Sequence, residues 1–192
     1  MKEEKEIIKR AAEGSLEAFE ELVSSKREKV FWISYRITGN EEDSRDISQL
    51  VFIRLWKILR RFQVEKNFDT WLYRITINMS IDFLRRSRGR EEALPLEGFS
   101  EQSVLSSGVS FQQETSIALK EIQKIYDVLS QRLAPKQRAI FALKEIEGMS
   151  TREISKIMKI NHSTVRNHLS QARQTMKEGL KRYYPEYFTE RE

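Results

Sequence analysis

The chain has 192 residues, of which 39% are hydrophobic, enough to build one medium-sized domain or two small ones. Its 34 basic and 29 acidic side chains leave a net charge of +5, which favours an anionic partner. No cysteine is present, so disulfides and thiolate metal sites are excluded and a reducing compartment is favoured. The highly charged start and the lack of a long apolar run argue against a signal peptide and a membrane span. We therefore expect a cytoplasmic protein without membrane insertion.

The charges fall into three blocks along the chain. Residues 1–90 hold 19 basic and 15 acidic side chains, residues 91–119 hold none and 5, and residues 120–192 hold 15 and 9. Periodicity also fails from 91 to about 114, where glycine and serine are frequent. We predict two small domains, residues 1–90 and 118–192, joined by a flexible acidic linker at 91–117.

Apolar residues recur at helical spacing nearly throughout the first domain, which predicts an all-α fold. Ser15 can cap a long helix that ends at Gly39 and Asn40. The next helix has one apolar stripe, formed by Ile47, Val51, Leu55, Ile58 and Phe62. After a loop at 63–68, a fourth helix has a second stripe, formed by Phe68, Leu72, Ile75, Met79 and Phe83.

The second domain begins with two predicted helices. The first should bury Ala118, Ile122, Ile125 and Leu129. Pro135 suits the first position of the second helix, which Gly148 closes. That helix should bury Ala139, Ile140, Leu143 and Ile146.

A helix-turn-helix pattern follows. Ser150 and Glu153 form a capping box before a short helix that buries Ile154 and Ile157. Ile160 lies in the turn, Asn161 can cap the next helix, and that helix buries Val165, Leu169, Ala172 and Met176. Its opposite face can bond base edges or phosphates in a major groove, through Arg166, Asn167, Ser170, Gln171 and Gln174.

Two alternatives to DNA binding were weighed for this motif. A polar helix face is often only solvated, but residues 131–182 hold 12 basic and 4 acidic side chains, and the capped short helix favours DNA binding. His162 and His168 lack a third ligand, so we expect no metal and no cofactor.

The fourth helix of the first domain carries a polar stripe opposite its apolar one. Aromatic and cationic side chains side by side suit unpaired bases, because rings stack on bases and arginine neutralises phosphates. The residues alone leave another interpretation open, in which Trp71 is a core residue and Asp82 pairs with Arg86. The stripe consists of Trp71, Tyr73, Arg74, Asn78, Asp82, Arg85 and Arg86.

Three segments in order, Asp46–Trp56, Phe68–Arg86 and Thr164–Arg173, resemble bacterial RNA polymerase sigma factors of the extracytoplasmic-function group. The resemblance implies a non-catalytic subunit whose partners are core RNA polymerase, promoter DNA and an anti-sigma factor. It assigns polymerase binding to Asp46, Gln49, Phe52 and Trp56. It assigns capture and melting of the minus-ten element to the 63–68 loop and to Trp71, Arg74, Asn78, Asp82, Arg85 and Arg86. Recognition of the minus-thirty-five element falls to Ser163, Thr164, Arg166, Asn167, Ser170, Gln171 and Arg173. The linker would thread through the basic active-site and RNA-exit region of the polymerase.

The chain departs from the family pattern at several positions. Leu50 replaces a common acid, Ser155 replaces a small residue, and Gln171 makes the recognition face less basic. Lys159 stands where glycine is usual, so we expect a slightly altered turn. The promoter sequence therefore cannot be carried over from the family.

Two other functional classes were considered. A helix-turn-helix regulator that does not load polymerase is the main alternative, but it has no reason to carry Asp46–Trp56 and Asn78–Arg86. An enzyme is disfavoured, because the sequence shows no glycine-rich phosphate loop, no metal-ligand cluster and no nucleophile beside a base.

Overall fold

A computed structural model describes residues 2–63, 66–91 and 117–185. These residues form helices and connecting turns without any strand, which confirms the predicted all-α fold. The helices are α1 (Lys2–Ala12), α2 (Leu16–Thr38), α3 (Glu41–Ile58), α4 (Phe68–Glu91), α5 (Ile117–Ser130), α6 (Pro135–Phe141), α7 (Thr151–Met158) and α8 (His162–Tyr183). A 3-10 turn, Leu59–Arg61, follows α3, and a π-helical turn, Ala142–Ile146, extends α6. Most of the predicted linker lies outside the described residues. No helix in the described ranges is long and apolar enough to span a bilayer.

The predicted helix ends are confirmed by their capping geometry. The Ser15 hydroxyl accepts a hydrogen bond from the Ala18 amide at 3.2 Å. Gly39 ends α2 with φ of 73°, a left-handed conformation that glycine adopts without steric cost. The side chain of Asn40 then accepts from the Asp43 amide at 3.0 Å and starts α3.

Helices α1–α4 form an N-terminal block, and α5–α8 form a C-terminal block. The core of the N-terminal block contains both predicted stripes, with Val51, Leu55 and Leu72 fully buried. Met79, Phe83 and Ile58 pack at its edge. The helical periodicity therefore located this core correctly.

A second core joins the two blocks, and the sequence pattern did not predict it. Ile77 and Ile81 lie on a second apolar face of α4, beside Ile33 and Ile37 of α2. From the C-terminal block they meet the buried residues Ala139, Ile140, Leu143, Ile154, Ile157, Val165 and Leu169. We call this arrangement, with the blocks packed through the shared core, the closed form.

Two predicted core positions are wrong. Ile122 is 59% exposed, and Ile146 is 36% exposed. Tyr126 and Leu129 are the buried residues of α5, because Tyr126 turns toward Phe141 and α2 while α8 approaches closely at Leu129. At Gly179 of α8 a Cβ would lie 2.8 Å from a Leu129 methyl, which explains a glycine inside that helix. The side chain of Ala118 lies outside the described ones.

Candidate nucleic-acid interface

The first helix of the helix-turn-helix is held by the predicted capping box. The Glu153 amide donates to the Ser150 hydroxyl at 3.2 Å, and the Ser150 amide donates to the Glu153 carboxylate at 2.8 Å. The Ser150 hydroxyl also donates to this carboxylate at 2.6 Å, and this bond, followed by the one from the Ser150 amide, lowers the pKa of Glu153. Ile154 and Ile157 are buried below, so the cap fixes where α7 begins and which face packs.

The turn between α7 and α8 has an ordinary left-handed geometry, so the expected alteration at Lys159 is wrong. Lys159 itself adopts φ of 53° and ψ of 47°, the conformation that glycine would supply. Ser155 stabilises this turn, because its hydroxyl donates to the Ile160 carbonyl at 2.6 Å while the Ile160 amide donates to the Ser155 carbonyl at 3.2 Å. Asn161 occupies the capping position of α8, but its side chain makes no capping bond.

Helix α8 separates a buried face from a polar face, as predicted. Val165, Leu169 and Ala172 are buried, whereas Thr164 is half-buried. The exposed positions are Ser163, Arg166, Asn167, Ser170, Gln171, Arg173 and Gln174. This polar face is accessible in the closed form.

Two members of the predicted face already have partners within the C-terminal block. Arg173 binds the Glu145 carboxylate through Nε at 3.0 Å and Nη2 at 2.7 Å. Gln171 accepts from the Gln137 side chain at 2.9 Å. Arg166 and Asn167, in the first turns of α8, are exposed. His162 is exposed and His168 half-buried, and the described residues contain no metal-binding cluster.

The stripe on α4 combines both interpretations offered by the sequence. Trp71 is half-buried and stacks on Phe62, with ring centroids 4.9 Å apart, so it packs at the core edge while part of its side chain remains accessible to solvent. Among the described ion pairs none joins Asp82 to Arg86. Tyr73 and Arg74 are half-buried, and the exposed members are Asn78, Asp82, Arg85 and Arg86.

In the closed form this stripe forms one wall of a crevice of about 570 Å³. The opposite wall is the end of α7 and the turn, Met158–Ile160. A neighbouring crevice of about 610 Å³ continues along the 63–68 loop toward Lys156. Residues 64 and 65 of that loop lie outside the described ones. Most of the charged residues that line the two crevices are cationic. They are Arg54, Arg61, Lys66, Arg74, Arg85, Lys136, Lys156 and Lys159.

Helix α3 presents an apolar strip to solvent. Leu50, Ile53 and Trp56 are 49%, 52% and 39% exposed, and the exposed Asp46 and Gln49 lie along the same face. No role was predicted for Ile53, although its spacing of three residues from both Leu50 and Trp56 is the signal that would have found it.

Phe52 does not belong to that strip. Its side chain is only 9% exposed and lies in the core of the N-terminal block, so a direct polymerase contact by Phe52 stays a prediction that this burial does not favour. Trp56 is supported by Phe19 of α2, with ring centroids 4.7 Å apart.

Comparison with known proteins finds two family models that match separate parts of the chain. The family model for sigma-70 region 2 matches residues 22–90, and the model for sigma-70 region 4 matches residues 123–176. The sigma factor SigW of Bacillus subtilis is 29% identical over 182 residues, which cover 92% of this chain and 96% of SigW. The sigma factor SigE of Mycolicibacterium smegmatis is 30% identical over 175 residues, covering 91% of this chain and 66% of SigE.

Solved structures share the fold. CnrH in complex with the cytosolic domain of CnrY superposes with a TM-score of 0.64 at 20% identity, over 94% of this chain and 98% of CnrH. The sigma factor RpoE of Bartonella quintana, solved with the anti-sigma factor NepR, also gives 0.64, at 19% identity, over 86% and 98% of the two chains. Both sigma-70 regions are thus present in order, joined by the segment predicted as a linker. The chain belongs to the extracytoplasmic-function group of RNA polymerase sigma factors, which bind core polymerase and direct it to specific promoters.

Proposed function

We propose that three separate faces of this sigma factor divide the work of initiation: α3 docks on core polymerase, α4 captures the melted minus-ten strand, and α8 recognises the minus-thirty-five duplex. The observation that supports this most is the exposed strip of α3. Three large apolar side chains in one row lower solubility unless a partner covers them. A regulator that only bound DNA would gain nothing from Leu50, Ile53 and Trp56 at this surface.

The polymerase contact on α3 would combine an apolar centre with a polar edge. Leu50, Ile53 and Trp56 supply the area that a partner would desolvate, and a partly exposed tryptophan is a frequent centre of binding energy. Asp46 and Gln49, one turn toward the N-terminus, supply bonds that fix the orientation. Phe52 would support this surface from the core of the N-terminal block.

Capture of unpaired bases would use the α4 stripe. The accessible part of the Trp71 ring can pack against a base, and Asn78 can bond a base edge that is accessible only after strand separation. Arg74 and Arg85 lie along the same helix and would neutralise phosphates. The free energy needed for strand opening would then come from binding of the unpaired strand to α4. We propose no catalytic activity for the chain.

Recognition of the duplex would use the first turns of α8. Arg166 and Asn167 project from the face opposite the buried Val165, where a helix in the major groove meets base edges. Arg173 would contribute only after leaving Glu145, so we expect a smaller part for it than the sequence suggested.

The partners follow from this assignment. Core polymerase and promoter DNA are shared with the related sigma factors, and we place their action in the cytoplasm, where polymerase works. Because RpoE of Bartonella quintana, which shares the fold, was solved with an anti-sigma factor, we propose that such a protein also regulates this chain.

Separable defects test the division of labour. Asn78→Ala should leave core binding unchanged and reduce permanganate reactivity of thymines near the start site. Gln49→Ala and Ile53→Asp should weaken core binding, the latter by about 2 kcal/mol if Ile53 is a central contact. Arg27→Ala, on an exposed position of α2, is the control and should change neither.

The opposite outcome is equally clear. A purified chain that binds duplex DNA but neither binds core polymerase nor opens any promoter in a library would replace this function with that of a plain regulator.

A further inference from the structure

We propose that Lys26 of α2 is a positioning residue for capture of the minus-ten strand: it fixes the start of α4 through Asp69, and with it the ring of Trp71. The inference rests on the function proposed above for the α4 stripe. Lys26 lies on none of the three proposed contact faces, so it would act through Asp69 and not by touching DNA.

Lys26 joins three helices of the N-terminal block. Its ammonium lies 2.7 Å from Oδ1 of Asp69, in the first turn of α4, and 2.6 Å from Oε1 of Glu4 in α1. Among the ion pairs of the described residues, no other includes a residue of α4. Lys26 is therefore the charged link between α4 and the rest of the block.

The cation of this link is more buried than its two carboxylates. The Lys26 side chain is 16% exposed, whereas the side chains of Asp69 and Glu4 are 41% and 44% exposed. Burial lowers the pKa of Lys26, but its bonds to Asp69 and Glu4 outweigh burial, so the pKa is raised and the ammonium stays charged at neutral pH. A buried cation needs a carboxylate at a defined place, so Lys26 constrains where Asp69 can lie.

Aromatic rings pack on the opposite side of the same helical turn. Asp69 precedes Trp71 by two residues, which is about 200° around an α-helix. The ring of Trp71 stacks on Phe62, and Phe68 lies 5.4 Å from Phe62 and 6.1 Å from Trp71 between ring centroids. The start of α4 is thus held on one side by a charge pair and on the other by aromatic packing.

The other contacts at this turn cannot orient the helix as well. Asn67 caps α4, since its Oδ1 accepts from the Thr70 amide at 2.8 Å, but this bond lies within the segment and does not relate α4 to α2. Apolar packing has no preferred direction, so the aromatic rings alone allow the helix to rotate or slide. The Lys26–Asp69 pair removes that freedom.

Rotation of this turn would matter for function because Trp71 is only half-buried. The accessible part of its ring must meet an unpaired base at a fixed place, and a displacement of about 1 Å in a contact group can cost much activity. Lys26 would keep the ring in that place before DNA arrives.

Fluorine NMR tests the positioning without DNA or polymerase. The chain has three tryptophans, so 5-fluorotryptophan gives three resonances, and variants that replace each tryptophan with phenylalanine assign them. Lys26→Met keeps a long apolar side chain but removes the charge. The Trp71 resonance should shift or broaden in Lys26→Met and return toward its original position in Lys26→Arg, which restores a cation.

Promoter opening by the holoenzyme tests the link to function. Lys26→Met should bind core polymerase normally but open a promoter at least about threefold less, because small displacements of a contact group reduce activity steeply. Asp69→Asn should give the same defect, and the double variant should be no worse than either single one, since all three lack the same contact. The Tm should change little, because pairs with partly exposed carboxylates contribute little to stability.

Arg27→Met is the matched control. Arg27 is the next residue along α2, its side chain is exposed, and the described ion pairs do not include it. This variant also replaces a cation with methionine, and it should change neither the Trp71 resonance nor promoter opening.

Three results would overturn the proposal. The first is an unchanged Trp71 resonance in Lys26→Met, or one that Lys26→Arg does not restore. The second is additive defects of Lys26→Met and Asp69→Asn. The third is a loss of core binding in proportion to the loss of opening, together with a lower Tm, which would give Lys26 a merely structural role.

Trp71→Ala separates this proposal from the function on which it rests. Normal opening by Trp71→Ala would mean that the function proposed for the α4 stripe fails, and the fluorine resonances would still decide whether Lys26 positions the ring. Impaired opening by Trp71→Ala with normal opening by Lys26→Met would leave that function standing and overturn the role of Lys26.

Discussion

Replacing Lys159 with glycine should stabilise this protein. Lys159 adopts φ of 53° in the turn of the helix-turn-helix. A side chain with a Cβ costs about 1–2 kcal/mol in the left-handed region, and glycine avoids that cost. Glycine also loses more backbone entropy on folding, by about 0.5–1 kcal/mol relative to alanine. The net gain should be about 0.5–1 kcal/mol, or about 1–4 °C in Tm for a chain of this size.

The charge of Lys159 must be separated from its backbone conformation. Its side chain is exposed and shares a crevice with Arg74, so removal of the charge could itself relieve repulsion. Lys159→Ala removes the charge but keeps the Cβ. The difference between the glycine and alanine variants therefore isolates the backbone contribution.

Urea denaturation followed by circular dichroism measures this difference. Equal slopes with a higher midpoint for the glycine variant would indicate a change in stability alone. A glycine variant no more stable than the alanine variant would refute the reasoning, and would show that Ser155 and its neighbours already relieve the strain of the turn.

Four further outcomes are expected. Arg166→Ala should weaken binding to the upstream promoter element by about 1–3 kcal/mol, and an unchanged holoenzyme footprint there would mean that the recognition helix is misplaced. Glu153 has a lowered pKa, so its contribution to stability is complete above the pH at which an unfolded glutamate titrates and is lost as the pH falls through the lowered value. Ser150→Ala should return the pKa of Glu153 toward normal in an NMR titration. An unchanged pKa in this variant would contradict the capping box. Ile77→Ala should cost about 2–5 kcal/mol of unfolding free energy, and a thermal shift near zero would argue against the shared core. Limited proteolysis should begin within 92–116, and the fragments should elute together; separate elution would count against the closed form.

Local chemistry made the helix boundaries predictable. Ser15 and Ser150 were recognised because a capping side chain needs only its own neighbours in sequence. The stripes of α3 and of the inner face of α4 were equally clear, since a helix with one buried face repeats its apolar residues at a single helical spacing. These features depend on contacts three or four residues apart.

The shared core was missed because it depends on distant partners. Ile77 and Ile81 lie beside the polar stripe, and nothing local shows that Ile33, Ile140 and Ile154 come to meet them. The same limit applies to Ile122, whose apolar character predicted burial although α5 turns Tyr126 inward instead.

The candidate site was predicted in part for the same reason. The Arg166 face could be located as the opposite of Val165 and Leu169. On α3, however, sequence cannot tell an apolar side chain in the core from one awaiting a partner. Phe52 was therefore predicted at the surface although it is buried, and no role was predicted for Ile53, which is exposed.

The contact between Arg138 and the end of α2 bears on the engineering of hybrid transcription factors. A chimera joining residues 1–90 to the promoter-recognition half of another relative would inherit the Arg36 carbonyl and Gly39 without a matching arginine or tyrosine. Such a hybrid would lose the hydrogen bonds that Tyr126 and Arg138 donate to the Arg36 carbonyl, so its two blocks would pack less tightly. The thermal stability of the hybrid would then report how well the two halves match.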